Sequence, residues 1–460
     1  MDRISGLPGD VIRIIVSFLP ANDAARVLLL ARSFRHLYTI IPNLEFNDAL
    51  EFQGTFTDFV TQSLARLQTT TLIRRFSLKY KRDKLVDSDR INHWLRDVLK
   101  RSVMDLELDI SGGDNRYELP LDGYELPLEI FTCNTLTKMK LGEEFVIRAL
   151  PKDALLPSLE SLILESVRFY ARDDNGDCAF HAFLLACPVL KELKIDGMYW
   201  ENWKWSRIVS SQSLQRLTIG RTLSEGYYEP SSQSISFNTP NLAFFQCGDF
   251  VPDSYPTVNF DSLVEAKLNL WVMVDRLWHA EFANDDDVLS SNPTNLIQGL
   301  RNVKILDLTS PVMLETLYFF RNAIPVFKNL HRLSFQHDDW GVCWRVLPYL
   351  LDKTPNLKTL VIEGGLHYVE EPDYVCHCLL GYSFLLSCRV EVMEITLWEH
   401  GTIEELEQVK HFLGKLPCLE LLIVNTSRWV SDNEKLRIIK DLRRLPRASP
   451  KCRVEFRCIV

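Results

Sequence analysis

The 460-residue sequence has no apolar run long enough to span a bilayer, so no transmembrane helix and no membrane partner are expected. It also lacks the basic, apolar and small-residue order of a secretory leader, because Asp10 and Arg13 interrupt the first apolar stretch. A protein of the nucleus or cytoplasm follows. Its eleven cysteines are odd in number and scattered through a chain too long to depend on disulfide staples, which makes reduced thiols the simplest reading. Cys376, His377 and Cys378 are neighbours, but adjacent side chains on an extended segment point opposite ways and no second ligand pair stands at zinc-site spacing. No metal is expected. An excess of positive charge is missing as well: the net charge of -9 argues against a general nucleic-acid binder, which needs clustered cations for phosphate. Finally, there is no Gly-rich phosphate loop after a strand, no nucleophile elbow and no His-Glu metal motif. Neither enzyme activity nor a cofactor is expected.

What the chain does have is a spacing. With 46% hydrophobic and 25% charged residues it is an ordinary globular sequence, large enough for one or two units with a real core. From residue 73 a triplet of apolar residues at relative positions 0, 3 and 5 recurs thirteen times, beginning with Ile73/Phe76/Leu78, Val103/Leu106/Leu108 and Leu136/Met139/Leu141 and ending with Leu419/Leu422/Val424. The residue between the last two points was not chosen for its polarity, and it is polar in ten of the thirteen, the exceptions being Ile163, Val361 and Ile423. Short strands with one buried and one wet face alternate in this way. The triplets are mostly 21 to 33 residues apart, with one gap of 40 between Leu263 and Val303 that holds the polar runs Asn284–Val288 and Ser290–Pro293. Each repeat is expected to supply one parallel strand on a concave face and a helix or loop returning over the convex side.

Both ends of the chain depart from the repeat. Toward the C-terminus, Thr402 with Glu405 forms a capping box ahead of Leu406, Val409 and Leu413, and Ser431 with Glu434 forms another ahead of Leu436 and Ile439. Two helices and two strands are implied there, the last strand alternating Cys452, Val454, Phe456 and Cys458 with Arg453, Glu455 and Arg457. At the N-terminus Val11, Ile14, Ile15 and Phe18 make one apolar helical stripe, with Pro8 in its first turn and Pro20 at its end. A second short helix carries Ala25, Val27 and Leu28, and a third carries Phe34, Leu37 and Tyr38 until Pro42. A head of about 40 residues cannot bury all that apolar surface alone.

Residues 3 to 46 resemble an F-box, and residues 388 to 460 resemble the FBD module, on Glu404–Leu413, Pro417–Leu422 and Leu445–Cys452. Together with the irregular leucine-rich repeats these segments are similar to plant F-box/LRR-repeat proteins of the F-box/FBD/LRR type. The resemblance implies an α/β chain: a three-helix F-box over residues 1–46, a leucine-rich-repeat solenoid over 47–387, and an FBD-like α/β cap over 388–460 that continues the solenoid. It implies a non-catalytic subunit of an SCF-type ubiquitin ligase, docking on a Skp1-like adaptor and through it on a cullin, while the repeat surface recruits a target protein. Leu7, Pro8, Ile14, Ile15, Phe18, Leu19 and Val27 match the positions of the head's core and adaptor-facing surface. Gly9 stands where the family usually has an acidic residue, and Phe34 and Tyr38 stand where related proteins commonly carry tryptophan. Trp200, Trp203, Trp205 and Trp340 are candidate contacts for the target, since exposed tryptophans anchor interfaces. The competing reading is a repeat scaffold outside any ligase, with the head as a helical cap.

Overall fold

The computed structural model describes residues 43–49, 55–67, 72–82, 88–112, 123–142, 145–169, 179–197, 208–221, 234–272, 291–337, 345–364, 384–397, 401–427 and 430–459. The chain divides near residue 215 into two compact units. Each is built on a parallel ladder, as the recurring triplet predicts.

In the first unit the strands Asn43–Asn47, Arg75–Arg82, Asp105–Gly112, Lys138–Leu141, Ser161–Glu165 and Glu192–Gly197 pair in chain order, all parallel. In the second unit the order is Arg216–Arg221, Phe244–Phe250, Glu265–Trp271, Ile305–Leu308, Arg332–His337, Thr359–Gly364, Val392–Leu397, Leu421–Ser427 and Arg453–Ile459, again all parallel. The register is that of the triplets: Phe76 lies level with Leu106 and Leu78 with Leu108, and in the second unit Met393 lies level with Leu422 and Ile395 with Val424. No triplet residue is more than 5% exposed.

The ladder starts earlier than the triplets suggest. Asn43–Asn47 is a strand, with Leu44 and Phe46 facing inward level with Phe76 and Leu78. It therefore begins inside the segment 1–46 expected as the helical head, and the physical reason is local: Pro42 ends any helix, and Leu44-Glu45-Phe46 alternates as a half-buried strand does.

A backbone device repeats at the entry of the strands. The carbonyl of Arg74 accepts both the Met104 and the Asp105 N–H; the carbonyl of Met104 accepts from Thr137 and Lys138, that of Thr137 from Glu160 and Ser161, and that of Glu160 from Lys191 and Glu192. The second unit repeats it through the carbonyls of Gln215, Ala243, Val264, Lys304, His331, Lys358 and Glu391. One oxygen per repeat thus satisfies two consecutive donors of the next where the chain turns into the sheet.

Behind each ladder the return segments pack aromatic clusters against the inward leucines. Phe131 meets Phe183 with ring centroids 5.5 Å apart, and Phe169 meets Phe180 at 5.3 Å. In the second unit Phe245 meets Phe260 at 4.9 Å and Phe237 at 5.4 Å. A fully buried phenylalanine contributes about 1.5–3 kcal/mol by area alone, which makes these clusters the anchors of the return side.

The C-terminal region has both expected capping boxes, at Thr402/Glu405 ahead of helix Ile403–Lys415 and at Ser431/Glu434 ahead of helix Asp432–Arg444. It contributes three strands rather than two, because Val392–Leu397 belongs to the same run. Helix Asp432–Arg444 buries Ile438 and Leu442, one turn apart, leaving Leu436 66% exposed and Ile439 only half-buried. The last strand does not bury one whole face as its alternation implies: Cys452, just before it, is buried, but Val454 and Phe456 are half-buried and Cys458 is exposed, since among the described residues no further strand pairs beyond it. Cys133, Cys187, Cys247, Cys388, Cys418, Cys452 and Cys458 are all free thiols. Among the described residues no helix is long and apolar enough to cross a membrane.

Candidate functional site

The surface that a parallel repeat ladder offers to a ligand is the outward face of its strands, made of the residues between the buried points of each triplet. In the first unit the central row of that face is Glu45, Ser77, Glu107, Lys140, Ile163 and Lys194, in strand order. Four of the six carry charge, and the residues two places before and after add Arg75, Lys79, Asp105, Asp109, Glu165 and Asp196.

Glu107 is the hub, with its side chain only 12% exposed. Arg75 Nη2 donates to its Oε2 at 2.9 Å, Lys79 Nζ lies 3.1 Å from Oε1, and Lys140 Nζ stands 4.0 Å from the same oxygen. The Ser77 hydroxyl adds a bond to Oε2 at 3.4 Å. Burial pushes the Glu107 carboxyl up, but the hydrogen bonds and charges of Lys79, Arg75 and Lys140 outweigh it and hold it below the ordinary glutamate value. Arg75 is held above its ordinary value in turn: burial works against the charge, and Asp105, Glu107 and Glu45 overcome it. Lys140 is shared, since its Nζ is also 3.0 Å from Glu165.

Asp109, two residues from the hub, behaves in the opposite way. Burial raises its pKa, Lys140 and Lys79 offset this only in part, and the neighbouring Glu165 and Glu107 add to the rise. It lies against Gly142, where an added Cβ would stand 2.7 Å from the Asp109 carboxylate oxygen and 3.0 Å from its Cα. The glycine is there for close approach of the next strand to this carboxylate.

The outward face of the second unit is quieter. Its central row runs Thr218, Gln246, Lys267, Asp307, Ser334, Val361, Glu394, Ile423 and Glu455. Lys267 Nζ is 3.5 Å from Asp307, whose Oδ1 accepts the Ser334 hydroxyl at 2.8 Å. Arg216 stacks on the Phe244 ring, 4.0 Å from its centroid, and Asn425 donates to Glu394 at 2.9 Å. Val361 and Ile423 occupy this row yet are only 3% and 6% exposed, so they interrupt the polar positions and flank Glu394 without offering apolar surface. Among the described residues no group of three or more His, Cys, Asp or Glu is placed to hold a metal.

Comparison with known proteins identifies the architecture. A family model described as "FBD-associated F-box protein At5g56370, LRR repeats" matches residues 91–310. The F-box/LRR-repeat protein At3g58980 of Arabidopsis thaliana is 47% identical over 99% of this chain and 74% of its own length. The putative F-box/LRR-repeat protein At3g58920 of the same plant is 45% identical over 99% of both chains, and the F-box/LRR-repeat protein At3g62440 is 43% identical over the same shares. The chain belongs to the F-box/LRR-repeat family.

For an F-box/LRR-repeat protein the expected docking residues of the head are Leu7, Pro8, Ile14, Ile15, Phe18, Leu19 and Val27, and all seven lie outside the described residues. So do Gly9, Phe34 and Tyr38, the tryptophans Trp200, Trp203, Trp205 and Trp340, and Cys376 to Cys378. Tryptophans gave no sign of the ionic network of the first unit. Its signal was present in the sequence, because Ser77, Glu107 and Lys140 occupy one position of successive triplets and must therefore be neighbours.

Proposed function

We propose that this F-box/LRR-repeat protein is a substrate-recruiting subunit of an SCF-type ubiquitin ligase. Its N-terminal F-box, residues 1 to about 42 or 46, docks on a Skp1-like adaptor through Leu7, Pro8, Ile14, Ile15, Phe18, Leu19 and Val27, and the adaptor joins it to a cullin. The outward faces of the ladders hold the target, with Trp200, Trp203, Trp205 and Trp340 as further contacts. The chain itself performs no chemistry. Its contribution is proximity, keeping target lysines at high effective concentration near the transfer enzyme in the cytoplasm or nucleus. The observation that carries this reading is full-length similarity to relatives named as F-box proteins, at 45% identity over 99% of both chains.

The test is binding of a purified Skp1-type adaptor to the full chain, to the double variant Leu7→Ala, Pro8→Ala, and to a chain lacking residues 1–42, which leaves the first strand intact. Binding by the full chain that is lost in the other two supports the ligase subunit. A folded full chain that binds no adaptor, or a truncated chain that binds as well as the full one, overturns it.

A further inference from the structure

The proposed function leaves one surface unused. Residues 430–460 hold nine Lys and Arg against four Asp and Glu, in a chain whose net charge is -9. Much of that excess sits on helix Asp432–Arg444, whose two sides are unlike. Ile438 and Leu442 are buried, whereas Leu436, Arg437, Lys440, Arg443 and Arg444 are all exposed. Leu436, Lys440 and Arg443 form one stripe at helical spacing, and Arg437, Lys440 and Arg444 form another, so the two meet at Lys440. The 66% exposed Leu436 thus lies one turn from Lys440, an apolar side chain among cations.

Three features set this face apart from an ordinary solvated one. Lys440, Arg443 and Arg444 make no side-chain hydrogen bond or ion pair among the described residues, whereas Lys435, nearer the N-terminal turn, pairs with Asp432 at 3.1 Å. Lys440 has cations three places before and after it and again four places after, an arrangement that repels itself on an isolated helix. Arg443 and Arg444 also suit the negative end of the helix dipole, but Lys440 in mid-helix and the exposed Leu436 gain nothing from it. The capping box at Ser431 and Glu434 holds the helix start in place, so the face is a fixed one.

We propose that this helix face docks an acidic protein segment that carries an apolar side chain, its carboxylates meeting Lys440, Arg443 and Arg444 and its apolar group covering Leu436. A polyanion such as nucleic acid or an anionic membrane fits less well. The cations span one helix of about 20 Å, the remainder of the chain is acidic and repels an extended array of phosphates, and an exposed leucine adds nothing to phosphate contacts. A protein segment uses both kinds of group at once, apolar centre and charged rim.

The probe is a fluorescein-labelled twelve-residue peptide of Asp and Glu with one central leucine, titrated with the full chain at about 0.15 M salt, where exposed long-range charge effects are largely screened. The full chain should bind it, the double variant Lys440→Glu, Arg443→Glu at least tenfold more weakly and Leu436→Ala several-fold more weakly, while Lys440→Arg should bind as the parent does. Replacing the peptide's leucine by glycine should weaken binding and abolish the effect of Leu436→Ala. The variant Leu7→Ala, Pro8→Ala should bind the peptide normally, which separates this surface from the adaptor site. No binding by the full chain, equal binding by Lys440→Glu, Arg443→Glu, indifference to Leu436, or tighter binding of duplex DNA or phosphatidylserine vesicles would each overturn the proposal.

Discussion

Glu107 in the first unit collects Arg75, Lys79 and Lys140 around one nearly buried carboxylate, whereas the second unit carries Val361 and Ile423 on its outward side and keeps its charges in separate small groups such as Lys267 with Asp307. The inward sides are alike: the same triplet, the same register and aromatic clusters on the return segments of both. One scaffold rule therefore fixes the interior and leaves the face free to vary. A face rich in connected ion pairs selects by charge and register, while one with scattered charges has less of that selectivity.

This comparison can be broken at several points. The largest effects should be equal in the two units, because the interiors are equivalent: Phe183→Ala and Phe245→Ala should each cost about 3–5 kcal/mol in urea unfolding. A cost confined to one unit would mean that the interiors differ after all. Next come two glycines at the same repeat position, six residues beyond Leu136 and Leu242. A Cβ at Gly142 would meet Asp109 at 2.7 Å and its Cα at 3.0 Å, while the nearest atom at Gly248 is 3.9 Å away. Gly142→Ala should cost about 1–3 kcal/mol and Gly248→Ala less than about 0.5 kcal/mol, measured the same way.

Smaller effects should separate the two faces. Glu107→Gln should cost about 1 kcal/mol, discounted because its cationic partners are 41% and 46% exposed, and about 0.5 kcal/mol of salt-sensitive loss is expected for Asp307→Asn. Because the folded pKa of Glu107 lies below its ordinary value, its contribution is complete above the ordinary glutamate range and disappears as pH falls through the depressed one. The smallest change should have the opposite sign. Asp109 has a raised pKa, so its ionised form opposes folding above that value and the penalty vanishes on acidification. Asp109→Asn should stabilise by up to about 0.5 kcal/mol at pH 7, and the gain over the parent should fade as pH drops into the carboxylate range, seen by thermal unfolding across pH.

Much of this fold was legible because a ladder is a one-dimensional object, in which a three-point apolar spacing specifies a strand, its inward face and its register with the next. Both capping boxes were legible for a similar reason, since they are local four-residue devices. The first strand was hidden because Asn43–Asn47 follows directly on residues that read as head, although Ile41, Leu44 and Phe46 carry the same three-point spacing in the sequence. The inward face of helix Asp432–Arg444 was not legible, because two apolar sets, 436 with 439 and 438 with 442, overlap on it, and only packing against the rest of the unit decides which faces inward. The ionic hub at Glu107 was hidden in plain residues. Aromatic side chains draw attention as binding anchors, but the alignment of Ser77, Glu107 and Lys140 on neighbouring strands appears only when the repeats are laid side by side.

The shared carbonyls at the strand entries carry a consequence for how such chains diversify. Successive bridging residues are between 21 and 40 positions apart, yet each link uses the same two consecutive N–H groups. Insertions elsewhere in a repeat are invisible to that link, so drift in loop length leaves register untouched. A proline is different: at Met104, Asp105 or their counterparts it deletes a donor from the link and should be rejected at every repeat, whatever the side chain it replaces. The positions that govern evolvability here are therefore defined by backbone alone, and Arg74, Met104, Thr137 and Glu160, which share no side-chain chemistry, do the same work.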